Sequence, residues 1–183
     1  MDRREILKVM ALTFGGSLAL PESAFAKLAE PFDPSKLTFF TKPQRELVAV
    51  LAETIIPKTD TPGAIDAGVP ALIELIAQDC LPESDQKVIL EGLGTVETHA
   101  ADQSKKPFAQ LATAERITLL TAMENEAKQA GNTKAFIRQF KDLTKFCFVN
   151  SEIGATQAFE FTLVPGRWDA AMDLKPGQKA YSI

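Results

Sequence analysis

From Thr41 to Phe159 the apolar side chains recur every three or four positions, a spacing that commits the chain to helices that each bury one face. Leu47, Val48, Leu51 and Ile55 form the first stripe. Thr41 is its N-cap, Pro43 is tolerated in its first turn, and Pro57, which lacks an N–H, ends it. Pro57 to Gly63 reads as a rigid polar loop. A second helix follows on Val69, Leu72, Ile73 and Ile76 and ends near Cys80-Leu81-Pro82. Ser84 or Asp85 is placed to cap a third helix carrying Val88, Ile89 and Val96, which Gly92 and Gly94 weaken by about 1 kcal/mol each relative to alanine. Thr98 to Lys106 is polar and reads as loop. Thr113 caps a fourth helix with Ile117, Leu120 and Met123 as its stripe and Gly131 as its terminator. Thr133 opens a fifth with Phe136, Ile137, Phe140, Leu143 and Cys147 on one face, and Ser151 caps a short sixth through Phe159. No window alternates with period two long enough to argue a sheet. The expected fold is therefore all-α, an irregular bundle of five or six helices.

The two ends break this pattern. Arg3-Arg4 precede an uncharged stretch from Met10 to Leu20, kept only moderately hydrophobic by Gly15, Gly16 and Ser17. As a helix those eleven residues rise about 16 Å, short of the roughly 30 Å bilayer core. Ala24-Phe25-Ala26 supplies the small residues of a cleavage site. Residues 1–26 thus resemble a twin-arginine export signal, with Asp2 and Ile6 where Ser or Thr and Phe are usual. Lys27 to Phe40, with Pro31 and Pro34, is an extended lead-in to the helical domain at 27–163. Residues 164–183 form an extended, aperiodic C-terminal tail with Pro165-Gly166 and Pro176-Gly177. Removing 26 of the 183 residues leaves 157 and removes three basic and three acidic groups, so the net charge stays at −4. That length suits one self-sufficient domain, and a mildly acidic chain without a basic cluster is a poor nucleic-acid binder.

Groups able to carry chemistry are few. His99 is the only histidine and lies in a polar stretch, where it reads as a solvated surface residue rather than part of a relay or metal site. Asp60, Asp66, Asp79 and Asp85 do not have calcium-loop spacing, and Asp60 reads as the cap of its own turn. No phosphate-cradling glycine loop, G-x-S-x-G, H-E-x-x-H or C-x-x-C is present. The expectation is a chain with no catalytic residue and no flavin, haem or metal of its own. Two cysteines in an exported chain permit a Cys80–Cys147 disulfide, while Cys147 also continues an apolar stripe, as a small free hydrophobe would. The tail concentrates Phe159, Phe161, Val164, Trp168, Met172, Leu174 and Tyr181. Arg167, Trp168 and Tyr181 are of the types enriched at binding hot spots, which makes them candidates for a partner interface; the competing reading folds the tail over its own helices.

Three stretches carry a family resemblance: Leu51-Ala52-Glu53-Thr54-Ile55-Ile56-Pro57-Lys58-Thr59-Asp60-Thr61-Pro62-Gly63-Ala64, the Phe140 to Gly154 region with Asn150-Ser151-Glu152-Ile153-Gly154-Ala155-Thr156, and Val164-Pro165-Gly166-Arg167-Trp168 followed by Lys175-Pro176-Gly177-Gln178-Lys179. Through them the chain resembles the gluconate 2-dehydrogenase subunit 3 family, and the last two look most like members paired with glucoside 3-dehydrogenases. The resemblance implies a non-catalytic accessory subunit. Its partner would be a large FAD-dependent flavoprotein of the glucose–methanol–choline type, which it helps to mature and carries to the periplasm through the twin-arginine translocase. A cytochrome c would accept the electrons, and any membrane association would run through such partners. Ala170-Ala171 stands where similar chains have a Gly-Cys pair, which leaves Cys80 and Cys147 only each other. The alternative is a free-standing periplasmic helical binding protein with a pocket of its own.

Overall fold

The computed structural model describes residues 33–132, 135–162, 166, 173 and 176–182. The chain divides into a unit of residues 1–36 and a unit of residues 37–183. Of the first unit only its last residues are described. They form a 3-10 turn, Pro34–Lys36, in which the Ser35 N–H donates to Asp33 Oδ1 at 2.9 Å.

The second unit holds α1 (Lys42–Ile55), α2 (Val69–Asp79), α3 (Glu83–Ser104), α4 (Thr113–Gln129) and α5 (Phe136–Val149). A 3-10 turn, Phe108–Gln110, lies between α3 and α4, and a π turn, Gly154–Ala158, follows α5. α1 starts as expected: Thr41 is its N-cap, and Gln44 Oε1 accepts the Thr41 N–H at 2.9 Å. α4 begins one residue early, with Ala112 as N-cap and its N–H on Glu115 Oε2 at 2.8 Å; Thr113 is the first helical residue. Gly131, at φ 63°, ends α4, and the Asn132 N–H returns to the Ala127 carbonyl at 2.9 Å.

Two expectations about the third helix are corrected. Residues 98–104 are helix, not loop, because α3 runs 22 residues and buries Ile89, Gly92, Leu93, Val96 and Ala100. Thr98, Asp102 and Gln103 lie on its solvent side, Glu97 and His99 are half-buried, and Ala100 is small enough to hide the stripe's continuation. Neither Ser84 nor Asp85 caps it; Pro82 occupies that place and its carbonyl accepts the Asp85 N–H at 2.9 Å.

α5 is the hub: it packs against α1, α2, α3 and α4, most extensively against α2. Its inner face buries Phe136, Ile137, Phe140, Thr144, Cys147 and Phe148, each large apolar group contributing roughly 1.5–3 kcal/mol. Phe140 is fully buried, with its ring 5.4 Å from that of Phe136. The tail returns to the end of the bundle, where the Lys179 ammonium donates to the Gln157 carbonyl. β1 (Glu160–Phe161) and β2 (Tyr181–Ser182) form a two-residue parallel bridge, with Glu160 opposite Tyr181.

Candidate interaction surface

Carboxylates come first, because a site of acid–base or metal chemistry would draw on them. Glu53, in α1, accepts the Lys58 N–H on Oε1 and the Ile65 N–H on Oε2, each at 2.9 Å, so one side chain holds both ends of the Pro57–Gly63 loop. A Cβ on Gly63 would lie 2.4 Å from Glu53 Oε1 and 2.7 Å from the Lys58 nitrogen, so only glycine fits between them. Lys58 and Asp66 close the same loop from outside with a 2.9 Å ion pair.

Glu74 of α2 is buried and works in the same way. It accepts the Phe40 N–H at 2.9 Å and two guanidinium bonds from Arg45 at 2.7 and 2.9 Å, and Arg45 also donates to the Leu37 carbonyl. Burial pushes the Glu74 carboxyl up, but the bonds from Arg45 and the Phe40 N–H outweigh it and hold the group below the ordinary carboxylate range. Glu97 accepts the Phe108 N–H at 3.1 Å. These acids pin loops to helices.

The second motif is structural in the same sense. Ser151 Oγ donates to the Phe148 carbonyl at 2.8 Å and accepts the Gly154 N–H at 3.0 Å, capping the final helical segment as its sequence suggests. A Cβ at position 154 would meet the Phe148 carbonyl oxygen at 1.9 Å.

His99 is half-buried rather than fully solvated. It lines a cleft of about 320 Å³ between α3, α4 and the start of α5, with Thr95, Met123, Glu126 and Phe136. Asp60 Oδ1 accepts the Thr59 hydroxyl at 3.0 Å, a local turn contact, and Asp85 accepts that of Ser84. Among the described residues no three of His, Cys, Asp and Glu converge as metal ligands, and no helix is long and apolar enough to cross a membrane. The two cysteines are free thiols: Cys80 is exposed at the end of α2, and Cys147 is buried on the inner face of α5. Burial pushes the Cys147 thiol up to about 12.

What remains is exposed apolar surface. Among the described residues the large exposed apolar side chains are Ile65, Ile117, Phe146, Val149, Phe161 and Tyr181. The last four belong to the C-terminal half of α5 and to the two strands beyond the π turn. Phe146 is 57 % exposed and Tyr181 48 %. Tyr181 is thus an accessible aromatic whose backbone is held by the bridge to Glu160, whereas Arg167 and Trp168 lie outside the described residues, as do Arg3, Arg4, Ala24 and Ala26. Phe146 and Val149 escape the sequence reading. Their signal is phase: Val149 falls opposite the stripe through Phe136, Phe140 and Cys147 and Phe146 on its flank, outside the arc that serves the helix's own core.

No curated protein and no solved structure matches the chain. A family model does, and it covers α1 through α5, both glycine-dependent motifs and β1. Residues 42–166 match gluconate 2-dehydrogenase subunit 3, and the chain belongs to that family.

Proposed function

We propose that the chain is a non-catalytic accessory subunit of a periplasmic, FAD-dependent sugar dehydrogenase of the glucose–methanol–choline type, the glucoside 3-dehydrogenase kind being the nearest in its motifs. The family match over residues 42–166 carries the reading, since that family is one of small subunits that associate with a larger dehydrogenase subunit. In this role the chain binds no flavin itself. It stabilises the flavoprotein during maturation and lends it an export signal, Arg3-Arg4 with cleavage after Ala24-Phe25-Ala26, for the twin-arginine translocase. A cytochrome c takes the electrons from the complex. Arg167, Trp168 and the exposed Tyr181 contribute to the contact with the large subunit, as side chains of the types that dominate interface energies.

The test is export of the pair. Arg3→Lys together with Arg4→Lys keeps the charge and removes the arginine pair. Both proteins should then stay in the cytoplasm, and periplasmic dehydrogenase activity should fall to background. Normal periplasmic activity in the double variant would end the shared-signal reading.

A further inference from the structure

The second unit opens on a four-residue strap, Leu37–Phe40, that is neither helix nor strand and stands just ahead of α1. Leu37 and Phe40 are buried, and Phe40 belongs to the core. Phe39 is half-buried, with its ring 4.9 Å from that of Phe40. Among the described residues no backbone–backbone hydrogen bond ties these four to the bundle. Side chains hold them instead. Glu74 accepts the Phe40 N–H at 2.9 Å, and Gln78 Oε1 accepts the Thr38 N–H at 3.1 Å. Arg45, oriented by its two bonds to Glu74, donates to the Leu37 carbonyl. Glu74 and Gln78 stand one turn apart on α2, so every clamp runs through that helix. At 11 residues α2 is shorter than the roughly 12–15 below which a helix is marginal on its own in water. Its buried face, with Val69, Ile73 and Ala77, is secured by docking, most extensively on α5.

We infer that Leu37–Phe40 is a folding-gated strap, which closes only when α2 has docked on the finished bundle and which, while open, holds the chain back from export. The inference rests on the twin-arginine reading, a route that takes folded cargo, and names the segment by which the folded state of this chain is registered. Ten residues, 27–36, separate the strap from the cleavage site after Ala26. An open strap therefore puts three large apolar side chains, those of Leu37, Phe39 and Phe40, close in sequence to the signal, and a closed one withdraws them. The clamps are also coupled. Glu74 both accepts the Phe40 N–H and orients Arg45, so displacing it releases two of the three at once. The segment that follows the signal is in this way secured through α2 by the helix at the far end of the bundle.

The experiment uses the full chain expressed with its large subunit. Arg45→Met with Glu74→Met replaces the ion pair by apolar side chains, an exchange that folds tolerate, and Gln78→Ala removes the remaining clamp. This triple variant should melt close to the wild type. Chymotrypsin should cut after Leu37, Phe39 or Phe40 roughly tenfold faster or more, as the loss of two or three hydrogen bonds implies. The exported fraction should fall severalfold, with precursor left in the cytoplasm. Gln78→Ala alone should move both readouts the same way by less, and it decides the matter if the triple variant does not fold. Glu124→Gln, which weakens the contact between α4 and α5 and leaves the clamps in place, should be exported like the wild type. Normal export of a variant whose strap is cut faster would overturn the gate. Unchanged cleavage would overturn it too, since the clamps would not be what closes the strap. Equal loss of export in Glu124→Gln would trace the effect to stability alone and also overturn it. A chain whose export ignores Arg3→Lys with Arg4→Lys would bring down the functional reading first, and the gate with it.

Discussion

Gly92 and Gly94 stand two positions apart on α3, and their surroundings give them opposite signs. A Cβ at Gly92 would lie 2.0 Å from Cγ of Phe136, in the contact between α3 and α5, so Gly92→Ala must displace a core ring. A Cβ at Gly94 would meet nothing within 4 Å, and there alanine only reduces the freedom of the unfolded chain. Gly92→Ala should cost about 1–3 kcal/mol, and Gly94→Ala should add roughly 0.5–1 kcal/mol; urea unfolding of the two variants checks both signs. The thiols separate as sharply. Cys80 should react with a thiol reagent in the native protein and Cys147 only in denaturant, one group and then two. No reactive thiol before denaturation would point instead to a Cys80–Cys147 bond. Because burial raises the Cys147 pKa from 9.0 to about 12, the folded state favours the neutral thiol. That contribution is intact below pH 9 and is lost as the pH rises from 9 toward 12.

Between elements, the contact most open to test joins α4 to α5. Glu124 accepts Lys141 of α5 at 2.6 Å and Lys128 of its own helix at 3.0 Å, and these bonds hold its carboxyl at about 2, down from 4.5. A depressed carboxyl stabilises the fold above its unfolded pKa and loses that effect as the pH falls through its folded one. Glu124→Gln should therefore cost about 0.5–1 kcal/mol at pH 7, and the urea midpoints of variant and wild type should converge as the pH falls from 4.5 to 2. The sequence made the helices legible wherever the stripe was made of large residues, as in α1, α2 and α5. It failed at residues 98–104, where one buried alanine carries the periodicity and charged neighbours mask it. The carboxylate clamps were illegible for a different reason. Glu53, Glu74 and Glu97 bond to backbone N–H groups of loops, and no side-chain pattern announces a loop's path. The resemblance marked the motifs, and Glu53, Gly63, Ser151 and Gly154 supply the physical reason for their spelling. Of the interface candidates, Tyr181 was legible as an aromatic in an aperiodic tail. Phe146 and Val149 were hidden inside a helix whose inner face already accounted for it.

At the scale of the molecule, α5 is both the centre of the core and the bearer of two exposed apolar side chains, Phe146 and Val149, although among the described residues it is the last full helix. That order matters during synthesis. Val48, Leu51, Val69 and Ile73 leave the ribosome long before Phe136, Phe140 and Phe148, which cover the same core. At roughly 5–20 residues per second, the interval between the end of α1 and the end of α5 is about 5–20 s. Through that time the first two helices hold apolar faces with no lid. A holding chaperone has its longest purchase on this N-terminal half, and a substitution that loosens α5 lengthens the exposure of every helix made before it.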